Sequence, residues 1–127
     1  MKQLWCSMAI ILVLISSTLL NVQYLKHFVS VLSDSLTNAQ EYAQSGDCKQ
    51  AQALTSSAQQ HFESHAFYLH ITLAHQDIDL IEYAFRDVLS YLSLGETGAL
   101  YASANTYLLA QLQLLVESEQ LNLKNVL

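Results

Sequence analysis

Residues 3–25 contain no charged side chain, and residues 4–20 are predominantly apolar. As a helix rising ~1.5 Å per residue, that run crosses a hydrocarbon layer of ~30 Å with a small contribution from its flanks. Apolar positions then recur at helical steps, at Leu25, Phe28, Val29, Leu32, Leu36, Ala39 and Ala43, with no breaker before Gly46. The periodicity predicts one helix that continues past the apolar run to about Ser45.

Gly46-Asp47 predicts the first turn, with Gly46 closing one helix in the left-handed conformation and Asp47 capping the next. Ala51, Leu54, Ala58 and Phe62 repeat on one face of a second helix. Together with Ala39, Ala43, Gly46 and Asp47 they look like one tetratricopeptide-type hairpin, in which small residues permit close approach. One copy is not an array, and an ordinary antiparallel helix pair fits the same pattern. A third helix is predicted from about Ala66 to Leu92, its core stripe formed by Phe67, Ile71, Ala74, Ile78, Ile81, Phe85, Val88 and Leu92. After a turn at Leu94-Gly-Glu-Thr-Gly98, a last helix is expected from Ala99 to about Glu119. Leu100, Ala104, Leu108, Leu112 and Leu115 would face the core, with Asn105, Gln111 and Gln113 as partners for buried polar groups. The ending, with Leu121, Leu123, Val126 and Leu127, is too apolar for a solvated tail and should dock. The expected fold is all-α. An N-terminal transmembrane helix (1–24) runs into a small up-down bundle of about four helices (25–127), partly a tetratricopeptide-like hairpin.

Composition supports this outline. A chain of 127 residues with no proline and only three glycines lacks the punctuation of hairpins and sandwiches, and holds one small core. The formal net charge of -6, with five Lys and Arg, argues against a nucleic-acid partner and against a polybasic lipid-binding patch. Cys6 and Cys48 lack the spacing of a zinc or redox motif, and a continuous helix holds them roughly 60 Å apart, beyond disulfide reach. Two unpaired thiols are expected, the alternative being a disulfide between two chains through Cys48.

Trp5 sits where an interfacial anchor would. A cleaved signal peptide competes with the anchor, since Ser16, Ser17 and Thr18 offer small residues for cleavage. The uninterrupted periodicity favours an uncleaved signal-anchor, because signal peptides usually end in an extended segment. Lys2 and the amino terminus favour the cytoplasmic side although Lys26 pulls the other way, so the expectation is a single-pass cell-membrane protein with its bulk outside the cytoplasm.

Candidate chemistry gathers on the third helix. His70 and Asp77 border its apolar stripe on one side, and His75, Asp79, Glu82 and Arg86 on the other. His75, Asp79 and Glu82, at i, i+4 and i+7, present one imidazole and two carboxylates side by side, a donor set for a metal. Arg86, one turn beyond Glu82, would pair with that carboxylate and turn the stripe into an ion-pair network. Neither paired Glu-x-x-His motifs nor His-Glu-x-x-His occur. The expectation is a polar network or interface at these six residues, no cofactor and no assigned metal.

His75-Gln-Asp77-Ile78-Asp79-Leu-Ile81-Glu82, and the ending Glu119-Gln-Leu121-Asn-Leu123-Lys124-Asn125-Val126-Leu127, resemble an uncharacterised family of short single-span bacterial membrane proteins found mainly in Firmicutes. That family is known as domain of unknown function forty-three sixty-three. The resemblance implies a membrane location and a bacterial source, and carries no catalytic residues.

An enzyme needs an acid and base pair or a nucleophile in a pocket, and Asp77 and Asp79 point about 200° apart on a helix. Catalysis is not expected. The leading reading is a membrane-anchored helical interaction module with a protein partner of unknown identity, homo-oligomers included. The alternative is an extracytoplasmic metal-binding or pH-responsive module built on the third-helix stripe.

Overall fold

A computed structural model describes residues 1–65 and 75–126. It contains four helices, α1 (Lys2–Gln44), α2 (Cys48–Ser64), α3 (His75–Ser93) and α4 (Ala99–Val126), and no strand among the described residues. The expected start of the third helix, with Phe67, His70, Ile71 and Ala74, lies outside the described residues.

Two turns of the same construction join α1 to α2 and α3 to α4. Gly46 and Gly95 take φ of +91° and +76°, a region that disfavours a Cβ. Each lets the chain fold back on the helix it ends. The Asp47 and Glu96 amides donate to Tyr42 O (2.8 Å) and Tyr91 O (2.9 Å), while the glycine amides donate to Ala43 O and Leu92 O. Asp47 then caps α2 by accepting from the Gln50 amide at 3.2 Å, as its position after the glycine predicts.

Each helix packs on two neighbours, α1 on α2 and α4, and α3 on α2 and α4, which closes a four-helix ring. The α1 face read from sequence is the buried one, from Leu25 to Ala43, joined by Val22. Ala39, Ala43, Ala51 and Ala58 line the α1–α2 contact with little bulk, and Phe62 meets Phe85 across α2 and α3 with ring centroids 5.7 Å apart. Ile78, Ile81, Phe85, Val88 and Leu92 are all buried, as the third-helix stripe requires.

The structure departs from the sequence reading at several positions: α4 runs on to Val126 rather than ending near Glu119, and Leu121, expected to dock, is exposed. Leu100 is exposed, and its neighbour Tyr101 takes the core position. Counting only aliphatic residues selects 100, 104 and 108, a row that slants across the helix. The straighter stripe, Tyr101, Asn105, Leu108, Leu112 and Leu115, contains a phenol and an amide and is discounted by hydropathy. In α2, Thr55 is buried while Leu54 is half-buried, and the Thr55 hydroxyl is satisfied by donating to Ala51 O at 2.9 Å.

Candidate functional site

Of the six residues singled out on the third helix, His70 lies outside the described residues, as does the side chain of His75, the first residue of α3. Asp77 and Glu82 are half-buried, and Asp79 and Arg86 are exposed. Glu82 and Arg86 sit one turn apart without an ion pair between them. Among the described residues, no three His, Cys, Asp or Glu side chains converge as metal ligands would.

Three other features stand out, each built where helices meet. At the end of the bundle next to residues 4–20, α1 and α2 bring together Tyr24, Phe28, His61 and His65. The His61 and His65 rings lie 4.9 Å apart, and Phe28 packs against both, at 5.2 Å and 5.0 Å. His65 Nδ1 lies 3.0 Å from both the His61 carbonyl and the Ser64 hydroxyl. Neither histidine is among the candidates read from the sequence. The i, i+4 spacing of His61 and His65 was the available signal.

At the opposite end the polar groups are internal. Asn105, fully buried on α4, donates through Nδ2 to Leu36 O (3.2 Å) and to Gln40 Oε1 (3.0 Å), tying α4 to α1, while its Oδ1 has no partner. Cys48 Sγ donates to Leu92 O at 3.1 Å, and both cysteines are free thiols. The Tyr101 hydroxyl is buried without a partner, and burial, with the nearby Cys48 thiol second, pushes its pKa up to about 12.

The third feature is a shallow groove of about 270 Å³ between α3 and α4, walled by Tyr83, Asp87 and Tyr91 on one side and Leu100, Ser103 and Tyr107 on the other. It belongs to a wider apolar surface. Leu80 and Tyr83 on α3, Leu94 in the turn after it, and Leu100, Tyr107, Leu114 and Leu121 on α4 are all exposed. The core is filled from neighbouring faces of these helices; Tyr91 and Ala104 pack partly against it, while Tyr83, Leu100 and Tyr107 stand outside it.

The family model for a domain of unknown function (DUF4363) matches residues 19–126, and the chain belongs to that family. Comparisons with curated proteins and with solved structures return no match. The matched region begins at the end of the apolar run, where α1 passes from exposed to buried positions. α1 is long and apolar enough to cross a membrane, a test that a signal sequence also passes.

Proposed function

We propose that the chain is a single-pass, membrane-anchored helical module that acts by binding another protein at the membrane, through the outer face of α3 and α4. The observation that carries this reading is the exposure of Tyr83, Leu100, Tyr107 and Leu114 on one side of a bundle whose core is already filled. Interface cores are rich in aromatic residues, and the groove presents three, Tyr83, Tyr91 and Tyr107, with Asp87 as its one charged side chain. The anchor reading is supported by residues 4–20, where apolar side chains other than the half-buried Ile15 stand free of the bundle. A photo-crosslinking amino acid at Tyr83 of the full chain, activated in intact cells, tests the proposal. A discrete protein adduct is expected there and not at Thr106, on another face of α4. Adducts of equal yield at both positions, or at neither, overturn it.

A further inference from the structure

We infer that the occupant of the α4 side of this surface is a second copy of the same chain, paired with it in parallel and in register along α4. The inference rests on the reading of that face as an interaction surface. Among the described residues of α4, the large apolar side chains that are exposed, Leu100, Tyr107, Leu114 and Leu121, are each seven residues apart. Ala104, Gln111 and Ser118, all half-buried, fall between them, giving alternate steps of four and three. That is the spacing by which one helix packs along another, and its slow drift round the α-helix is what left-handed supercoiling takes up.

Charge selects the partner. The chain carries a net charge of -6, so two copies repel over most approaches, yet residues 99–116 of α4 contain no charged residue and the seam itself contains none. A twofold contact places the same patch on both sides and so requires one that tolerates its own image. This seam does so, because its apolar groups face apolar groups, and the Gln111 amide and the Ser118 hydroxyl, each donor and acceptor at once, can bond to their own copies. Polar residues at such seam positions also fix register.

The proposed anchor selects direction. α1 runs unbroken through Lys2–Gln44, so the apolar run and the bundle share one helix, and bundles held in one membrane point the same way. Their α4 helices are then parallel, and each seam residue meets its own counterpart. Confinement to the membrane raises the effective concentration, so a narrow seam suffices.

Disulfide formation on mild oxidation of the full chain in native membranes tests this, with Cys6→Ser and Cys48→Ala as background. Single cysteines introduced as Gln111→Cys or Leu114→Cys should give a dimer-sized product, and Thr106→Cys at least about tenfold less. Equal yields at the three positions, or none at the seam, overturn the pairing. A photo-crosslinker at Tyr107 separates this from the broader proposal. A self-adduct supports the pair; adducts only to a different protein overturn the pair and leave the interaction module standing; no adduct overturns both.

Discussion

Among the described residues, two apolar surfaces stand outside the core, and they differ in shape. On α1, residues 4–20 other than the half-buried Ile15 are exposed, with Leu12, Val13 and Leu14, which point in three directions, each more than half exposed. On α4 the excess is one stripe, beside a core stripe on the same helix. A surrounding solvent of hydrocarbon asks for the first pattern and a single partner helix for the second. Angular width, rather than hydrophobicity, separates the proposed anchor from the proposed interface.

The largest effect should come from one substitution made at two neighbouring positions. Leu112 is 0% exposed and Leu114 is 53% exposed. Leu112→Asp buries an uncompensated charge and should cost more than about 4 kcal/mol, whereas Leu114→Asp should change the monomer by about 0.5 kcal/mol or less. Thermal melts of the detergent-solubilised chain check both, and equal losses would mean that the seam belongs to the core. Ile78, also 0% exposed, is expected to match Leu112 when changed to Asp.

A smaller effect distinguishes lipid from protein. Leu12→Arg places a charge near the middle of the apolar run, at a cost of about 2.5–3.5 kcal/mol for insertion. Alkaline carbonate extraction should release this variant and leave Leu114→Arg in the membrane. Retention of Leu12→Arg, or release of both, would break the distinction between the two surfaces.

Much of this was legible beforehand, for identifiable reasons. The α1 core face, the two glycine turns and the Asp47 cap follow from local periodicity and backbone chemistry, which need no knowledge of neighbours. The exposed seam was hidden by the same rule that found the core. Hydropathy assigns Leu100 inward and Tyr101 outward, and the fold reverses them because a phenol and the Asn105 amide take core positions next to α1. The pairing of Phe28 with His61 and His65 is a tertiary event between α1 and α2, and only the His61–His65 spacing lay in the sequence. The stripe of His75, Asp79 and Glu82 was legible as a pattern, but its meaning depends on side-chain geometry that spacing does not supply.

Tyr101 gives a pH test of the core position that hydropathy misplaced. Its pKa lies at about 12 in the folded chain, against ~10 when unfolded. The unfolded form therefore loses its proton first, and stability, complete below pH ~10, falls as pH rises toward 12 by about 2–3 kcal/mol. Tyr101→Phe should remove that part of the alkaline loss and, by deleting a hydroxyl with no partner, be neutral or slightly stabilising at pH 7. Denaturant titrations at pH 7 and pH 11 check this, and an unchanged alkaline slope would place the phenol in water.

The smallest expected effect is none, and it concerns α3, whose outward polar groups contrast with both apolar surfaces. If His75, Asp79, Glu82 and Arg86 form a solvated polar face, zinc or manganese leaves the melting temperature of the full chain unchanged. A specific site in the folded state, at a hundred times its dissociation constant, adds ~2.7 kcal/mol. For a bundle of this size, at ~4–8 °C per kcal/mol, that is a rise of about ten degrees or more. His75→Ala and Glu82→Ala would abolish such a rise if α3 held the ion, and His61→Ala or His65→Ala would do so if the pair on α2 held it. A saturable rise lost in either set would make metal binding the function to pursue. A flat response leaves recognition to the apolar face of α3 and α4, where Leu114→Asp separates partners without unfolding the bundle.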